Sequence, residues 1–321
     1  PQPRSNRELD YIRDDVVSEL VGTDAAFGIT LGDIMYNDLS LYDRYNEIVS
    51  AAGIPFYNVA GNHDMNFDAE DDRFALETFR RHFGPSYYAF EYGKVSFIVL
   101  DDVEWMGEDE EKGTGNYRGK LGNRQTAWIE NYLEHVSSDR LIVLTMHIPL
   151  YNQGDPAEDV NVIDRDDLFD LLKDRKHLLA VAGHMHLIEQ CDLDGTVGWM
   201  GDQRFQQVTC GAVSGSWWSG PRDERAIPST DQRDGVPNGY HIFSFDGNRY
   251  TQRFKPADFD DDYQIRISSP AGKFKLSSED GIDVVANVFN GNEQSTVEYQ
   301  LGSGEYVRME RTLMDDPFIV S

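Results

Sequence analysis

The sequence predicts an α/β fold of four layers (α/β/β/α), two β-sheets between outer helices, followed by a small all-β domain. Two observations support this prediction. Up to about residue 257, short apolar runs typical of strands alternate with longer stretches of helical periodicity. After Pro256, the acidic stretch Asp258–Asp262 has the composition of a linker, and only strand-like runs follow it. We therefore divide the 321 residues into a first domain, 1–257, and a sandwich-like C-terminal β domain, 258–321.

The helices are predicted by apolar residues that recur every three or four positions. In the first helix, Glu8–Val21, residues Leu9, Ile12, Val16 and Leu20 share one side and charged residues occupy the other. The next helix is predicted to end at Gly53, because glycine and a following proline favour helix termination. The further predicted helices are Leu39–Ala52, Asp71–Phe83, Asn123–Val136 and Arg165–Asp174.

The strands are predicted by short runs of β-branched and aromatic residues. Gly93-Lys94 and Asp246-Gly247-Asn248 are turn sequences that join neighbouring runs into hairpins. The predicted strands of the first domain are Ala26–Leu31, Ile54–Ala60, Tyr87–Tyr92, Val95–Leu100, Leu141–Met146, Leu178–Ala182, Leu187–Leu193, Arg204–Cys210, Tyr240–Phe245 and Tyr250–Phe254. Those of the C-terminal domain are Tyr263–Ser268, Gly281–Phe289, Ser295–Leu301 and Tyr306–Leu313.

The formal net charge of −28 argues against nucleic acid as a partner, because phosphate backbones require a basic surface. The same charge disfavours anionic membrane surfaces. No apolar run reaches the roughly 18 residues of a membrane-spanning helix, so we expect no membrane insertion. The acidic residues are spread along the chain, which indicates a solvated, self-repelling surface; adaptation to high salt is the alternative hypothesis.

Polar side chains follow four predicted strands. They lie in Gly32-Asp33, Gly61-Asn62-His63-Asp64, His147 and Gly183-His184-Met185-His186. Because loops at the carboxyl ends of strands gather at one edge of an α/β sheet, we expect these side chains to meet. Oxygen and imidazole ligands without thiolate suit divalent Mn, Fe or Zn. The pattern predicts metal-assisted hydrolysis.

These four motifs, in this order, resemble those of the calcineurin-like metallophosphoesterases of the purple acid phosphatase-like superfamily. The resemblance covers about residues 1–256. It implies a hydrolase that cleaves phosphomonoesters or phosphodiesters by attack of a metal-bridging hydroxide, with a small phosphorylated compound as substrate. It also implies a dinuclear centre of two divalent ions, Mn, Fe or Zn. The C-terminal module resembles the β appendages of secreted bacterial members, so we expect a secreted or periplasmic protein whose signal segment is not in the chain.

The resemblance also assigns metal ligands. Asp33 would bridge the two ions, because both of its carboxylate oxygens can bind metal. Asn62, His147 and His184 would complete the second site, where a neutral amide oxygen leaves positive charge for the phosphate. His186 would belong to the first site, because an extended turn two residues long lets it and His184 reach different ions.

The resemblance makes His63 the proton donor to the leaving group. Asp64 would accept a hydrogen bond from its other ring nitrogen and so fix the tautomer. Asp101 and Asp102 carry no motif and are expected to be solvated loop or cap carboxylates.

The first metal site departs from the family pattern, which opens with Asp-X-His or Asp-X-Gly. If the residue before Pro1 were Asp, the motif would become Asp-Pro-Gln, with Gln2 in the histidine position. Alternatively, Gly32-Asp33-Ile34-Met35-Tyr36 matches the tyrosine-bearing motif of purple acid phosphatases, so Tyr36 could supply a phenolate to ferric iron or simply pack.

Substrate specificity is predicted to come from Ser214–Asn238, a long loop inside a compact domain. Trp217 and Trp218 could present aromatic faces to the substrate, and Arg222 or Arg225 could meet an anion. The alternative is that the two tryptophans pack the domains together.

A different class of function stays open. A defective first site would leave one metal and a catalytically weak ligand-binding protein on the same fold. Metal content per chain and turnover of nitrophenyl esters separate the two hypotheses.

Overall fold

Two β-sheets face each other, and helices cover their outer surfaces. The computed structural model describes residues 1–109, 114–228, 230–270 and 282–320. The α-helices are α1 (Asn6–Tyr11), α2 (Ser18–Leu20), α3 (Tyr42–Ser50), α4 (Asp72–Ala75), α5 (Glu77–Phe83), α6 (Gly122–Leu133), α7 (Arg165–Leu172) and α8 (Pro317–Val320). The strands of the core are β1 (Gly28–Leu31), β2 (Phe56–Val59), β3 (Tyr88–Tyr92), β4 (Val95–Val99), β5 (Val103–Asp109), β6 (Thr114–Gly119), β7 (Leu141–Thr145), β8 (His177–Ala182), β9 (Glu189–Leu193), β10 (Phe205–Thr209), β11 (Gly239–Asp246) and β12 (Arg249–Pro256).

The larger sheet has six strands in the order β3-β4-β7-β8-β10-β9. Its central strands, β4, β7, β8 and β10, are parallel, and β3 and β9 are antiparallel at the two edges. β7 and β8 are buried along almost their whole length, as expected for parallel strands covered on both faces. The mixed α/β prediction is confirmed.

The facing sheet consists of two pieces, the parallel pair β1-β2 and the antiparallel hairpin β11-β12. Alternate residues of the larger sheet point towards it, among them Val143 of β7 and Val181 of β8, and form an apolar layer with Ile29 and Phe243. The residues between them, such as Leu144, belong to the apolar cluster on the helical side. This alternation builds the two inner layers.

The first predicted helix forms with one local difference. α1 and α2 are joined by a π-helical segment, Ile12–Val17, so the helical stretch is continuous from Asn6 to Leu20. Ser5 caps its start by accepting from the Glu8 amide. Leu9 is fully buried, so the predicted apolar side faces the core.

The hairpin β5-β6 is not predicted from sequence. The stretch between Val103 and Gly119 is rich in glutamate and glycine and lacks an alternating apolar pattern. The hairpin matters because it carries Tyr117 to the site described below.

The C-terminal region is β-rich, as predicted. Its strands form small antiparallel sheets, β13 (Ile265–Ser269) with β14 (Val285–Val288) and β15 (Glu298–Gln300) with β16 (Tyr306–Arg308). Gly281, the start of one predicted strand, lies outside the described residues. The domain boundary between residues 257 and 258 stays a prediction. Within the described ranges no helix has the length and apolar character needed to cross a bilayer.

Candidate metal centre

The motif glycines allow the backbone and side chains of the site to approach one another. β1 and β2 end side by side, with Leu31 paired to Val59. A Cβ atom on Gly61 would overlap the backbone nitrogen and carboxylate of Asp33. Gly32, at a φ of +79°, would likewise collide with the His147 ring if it carried a side chain.

Three candidate ligand atoms surround a fourth, the Nε2 atom of His147. Asn62 Oδ1 lies 3.0 Å from it, His184 Nδ1 3.1 Å and Asp33 Oδ1 3.3 Å. Ligands bonded to one metal at about 2.1 Å are themselves about 3.0–3.4 Å apart in octahedral or tetrahedral geometry. Asp33 and Asn62 follow strands of the smaller sheet, whereas His147 and His184 follow strands of the larger one. The cluster therefore bridges the two sheets.

Three histidines each donate one ring N–H to a backbone carbonyl. His147 Nδ1 lies 2.8 Å from the Leu31 oxygen, and His184 Nε2 lies 3.0 Å from the Asp159 oxygen. His186 Nδ1 donates to the Gly215 carbonyl. Because a carbonyl oxygen only accepts, these contacts fix the tautomer and leave the other nitrogen of each ring as a lone pair for a cation.

Charge is concentrated at Asp33 and His147. Burial alone would raise the pKa of Asp33, but His147 and His63 outweigh it and hold that pKa well below its usual range. Burial would lower the pKa of His147, yet the Asp33 carboxylate raises it to about 9. Burial, with His147 beside it, lowers the pKa of His184 to about 3. The cluster therefore has room for one cation near His147 Nε2, either a proton or a metal ion.

Backbone strain gathers at this cluster. In the described part of the chain nine non-glycine residues have a positive φ, and seven of them contact or surround the site. These seven are Gln2, Asp33, Asn37, His184, His186, Trp217 and Trp218. The backbone is therefore left-handed at both His184 and His186. The extended turn predicted from the sequence is wrong. Such strain is tolerated where it positions functional groups.

A second set of donors lies on the other side of Asp33. Gln2 is 2% exposed, and its Nε2 donates to Asp33 Oδ2 over 3.0 Å. The Oε1 atom of Gln2 is buried and has no hydrogen-bond partner among the residues that the structure describes, which is rare for a polar atom and fits a metal ligand. His186 is 4% exposed and lines the same cavity as Gln2. The two oxygens of Asp33 thus face different donor sets.

His63 has a partner that the sequence did not predict. Its Nδ1 contacts Asn37 Oδ1, and its backbone N–H donates to Asp33 Oδ1 over 3.0 Å. The Tyr36 ring stacks on the imidazole at 4.5 Å, which favours packing over metal ligation for this tyrosine. Among the described residues His63 Nε2 has no hydrogen-bond partner, so this atom can face a substrate.

The prediction that Asp64 accepts a hydrogen bond from His63 is wrong. Asp64 is fully buried and instead accepts from the backbone amides of Ile34, Met35 and Gly61. It also accepts from the Tyr42 hydroxyl over 2.9 Å. Burial raises the pKa of Asp64 to about 6. Its geometry is that of a carboxylate that ties together the loops after β1 and β2.

Asp102 is also not the solvated carboxylate that we expected. It is fully buried and accepts from the backbone amides of His147 and Ile148 at 3.1 and 2.8 Å. It follows β4 as His147 follows β7, and these strands are adjacent in the sheet. The paired amides hold the loop that presents the His147 ring.

A cavity of about 200 Å³ opens above the cluster. Its wall includes Tyr117, Trp217 and Arg233 beside the candidate ligands. Trp217 is 40% exposed and stacks on His186 at 4.5 Å.

Two predicted substrate contacts are not available at this cavity. Trp218 is buried and packs edge-on against Tyr11, with its Nε1 donating to the Gln2 carbonyl. Arg222 is exposed and donates to the Ala226 carbonyl within its own loop. The tryptophan pair therefore divides, with one indole in the core and the other in the cavity wall.

Sequence reasoning missed Asn37, Tyr117 and Arg233. Asn37 lies only four residues after Asp33, so its closeness to a predicted ligand in the sequence could have identified it as a candidate site residue. Tyr117 belongs to the hairpin without apolar alternation, and Arg233 is one of several arginines in a long loop. Neither carries a local signal, because only the fold brings them to the cavity.

Two family models match this chain. One, described as calcineurin-like phosphoesterase, matches residues 8–187, and the other, described as the C terminal of calcineurin-like phosphoesterase, matches residues 208–321. A probable glycerophosphodiester phosphodiesterase, GpdQ, from Arcobacter nitrofigilis is 30% identical over 166 residues. That stretch is 50% of this chain and 56% of the relative, so the chain spans about half the length of the curated relative it matches.

Solved structures of low identity overlap with part of the fold. A dimetal phosphatase from Danio rerio is 18% identical, with a TM-score of 0.43 over 63% of this chain and 77% of the other. A structure of PhoD is 15% identical, with a TM-score of 0.44 over 61% of this chain and 52% of the other.

Proposed function

This chain belongs to the calcineurin-like phosphoesterase family, and from that premise we propose that it is a metal-dependent hydrolase of phosphomonoesters or phosphodiesters. One observation carries the proposal. Candidate ligand atoms of Asp33, Asn62 and His184 lie within 3.3 Å of a fourth candidate ligand atom, His147 Nε2. The opposite ring nitrogens of His147 and His184 donate their N–H groups to backbone carbonyls, so His147 Nε2 and His184 Nδ1 are free to bind a cation.

The residues fit two divalent ions such as Mn, Fe or Zn. Asn62, His147 and His184 would hold one ion, and His186 with Gln2 would hold the other, with Asp33 between them. The mixed oxygen and imidazole set suits these metals, and Gln2 Oε1, which has no hydrogen-bond partner in the described part of the chain, is free to bind a cation. When bound, the ions would supply an activated water as nucleophile and positive charge for the phosphate.

His63 would deliver a proton to the leaving oxygen. Asn37 contacts its Nδ1 and Tyr36 stacks on its face, so Nε2 is the ring nitrogen left for the cavity that His63 lines. Asn37 acts as a positioning residue, because its carbonyl oxygen selects the tautomer with the proton on Nδ1. In the protonated ring Nε2–H is then the acid.

The name of the curated relative concerns a glycerophosphodiester, so we propose small phosphodiesters as the first substrates to test. A simple assay compares bis(4-nitrophenyl) phosphate with 4-nitrophenyl phosphate on protein loaded with Mn. We expect turnover of at least one ester, two metals per chain, and loss of both metal and turnover in His147→Asn. The matched control is His135→Gln, an exposed histidine outside the cluster. Turnover by His147→Asn at the wild-type rate would reject the site.

One feature favours the alternative of a single-metal binding protein. The Gln2 amide N–H donates to Asp33 Oδ2, so in this arrangement a donor lies where the first ion would approach. Asp33 is also the one carboxylate among the described residues that line the cavity. One metal per chain with no turnover of either ester would support the binding protein; two metals with turnover would reject it.

A further inference from the structure

Arg233 lies in the cavity wall, and no described residue forms an ion pair with it. Several arginines of this acidic chain are paired with carboxylates, as Arg266 is with Asp231 at 2.8 Å and Arg225 with Asp15 at 2.8 Å. In the described part of the chain, the Arg233 guanidinium has no carboxylate within ion-pair distance, and its side chain is exposed. A guanidinium left unpaired beside candidate metal ligands is available to an anion.

The Arg233 guanidinium is linked to the candidate ligand His186 through Trp217. The Trp217 ring centre lies 4.5 Å from that of His186 and 5.9 Å from the Arg233 guanidinium carbon. Arg233 thus contacts an aromatic neighbour of a candidate ligand and lines the same cavity as the ligands. A guanidinium over an aromatic ring keeps its charge available to an anion.

Backbone contacts fix the main chain of both Arg233 and Trp217. The Arg233 N–H donates to the His186 carbonyl over 3.0 Å, so its main chain is tied to the ligand turn. Trp217 and Trp218 both have left-handed backbones, and the buried Trp218 anchors the strained pair through its bond to the Gln2 carbonyl. The neighbouring Gln232 is fully buried and bonded at both ends of its amide. The strained backbone and these hydrogen bonds fix the main chain from which the Arg233 side chain extends.

The charge of the whole chain makes this cation consequential. At a net charge of −28 the protein repels anionic ligands, and each further negative group on a substrate increases that repulsion. Divalent ions would offset the charge of the phosphate under attack, and a second anionic group on the substrate would still meet the negative field of the protein. Among the described residues that line the cavity, Arg233 is the one with a permanent positive charge, so it can offset that second group.

Building on the proposed phosphoesterase activity, we propose that Arg233 binds a second anionic group on the leaving portion of the substrate. The preferred substrates are then phosphate esters whose leaving group carries a carboxylate or another phosphate, a few bonds from the scissile oxygen. Trp217 sets that spacing, and it is a positioning residue for Arg233.

The test uses matched esters that differ in one charge. 4-Carboxyphenyl and 4-carbamoylphenyl phosphates, with their methyl diesters, are compared on the Mn-loaded protein. We expect wild type to prefer the carboxylate in kcat/KM by about fivefold, the size expected of an exposed ion pair. Arg233→Gln should remove this preference. Arg222→Gln, on the same loop but outside the cavity, should keep it, and added salt should weaken it in wild type.

Equal preference in wild type and Arg233→Gln, or no preference in wild type, would overturn the assignment. An equal loss for both esters in Arg233→Gln would also overturn it, because Arg233 would then hold the scissile phosphate. If wild type cleaves neither ester, the phosphoesterase proposal fails by itself. The matching 4-carboxyphenyl and 4-carbamoylphenyl phosphonates then measure Kd, and the same difference between wild type and Arg233→Gln supports or rejects the role of Arg233.

Discussion

His147 Nε2 and His184 Nδ1 lie 3.1 Å apart, and the opposite nitrogen of each ring is committed to a backbone carbonyl. Without a cation between them, two lone pairs would point at each other in a buried place, which is unfavourable. Either a proton or a metal ion can occupy this position. The two histidines follow the adjacent parallel strands β7 and β8, so the sheet itself brings them together. Their closeness is the physical reason to expect a cation at this position.

Metal should stabilise the folded protein. Adding Mn to chelator-treated protein at about one hundred times its Kd should raise the free energy of unfolding by about 3 kcal/mol, because the ion binds only the assembled cluster. His184→Asn should lose most of that gain, and the exposed control His135→Gln should keep it. Urea unfolding with and without Mn measures the gain; equal gains in all three proteins would contradict the prediction.

His63 and Asn37 should act on one step. We expect His63→Ala to lower kcat by about 10²- to 10⁴-fold and Asn37→Ala by about tenfold, with metal content kept in both. Loss of a proton donor hurts poor leaving groups most, so each deficit should be larger for phenyl phosphate than for 4-nitrophenyl phosphate. Asn131→Ala, at an exposed helical site, is the control. A deficit independent of the leaving group would reject the assigned role.

Asp64 should matter for stability more than for chemistry. Asp64→Ala leaves three backbone amides and the Tyr42 hydroxyl without their acceptor in a buried place, which should cost about 3–5 kcal/mol. The loss should be present in metal-free protein, measured by urea unfolding. Asp68→Ala, four residues on and exposed, should change stability by less than about 0.5 kcal/mol. Wild-type stability of metal-free Asp64→Ala would refute this.

The two adjacent tryptophans should respond differently to truncation. Trp218 is 2% exposed against Tyr11, so Trp218→Ala should cost about 3–5 kcal/mol. Trp217 is 40% exposed, so Trp217→Ala should cost less than about 1 kcal/mol while reducing kcat/KM. Urea unfolding and ester kinetics on both variants measure this; the reverse pattern would show that the roles are exchanged.

Asp234 should make stability depend on pH. Burial raises its pKa to about 6, although it accepts from the Ile188 and Val236 amides. An aspartate whose pKa is higher in the folded state binds its proton more tightly there, so its contribution to stability falls as pH rises from about 4 to 6. Asp234→Asn should flatten that fall, measured by urea unfolding at pH 5 and 7. The exposed control Asp246→Asn should leave it unchanged; an unaltered slope in Asp234→Asn would contradict the prediction.

Much of the fold was determined by local patterns in the sequence. Apolar runs followed by polar residues, three of them through a glycine, predicted β1, β2, β7 and β8 and the place of Asp33, Asn62, His147 and His184 at their ends. This succeeded because buried parallel strands need continuous apolar residues, and the loops after them share one edge. The C-terminal β region was likewise readable from its alternation.

Only the tertiary structure decided which polar groups meet across the sheets. Asn37 rather than Asp64 contacts His63, and Asp64 turned inward because three amides needed an acceptor there. The division between Trp217 and Trp218 follows from left-handed backbone angles that residue type does not predict. Arg233 reaches the cavity through a bond to the His186 carbonyl, a contact between distant segments. Such contacts depend on packing geometry, which a local pattern does not encode.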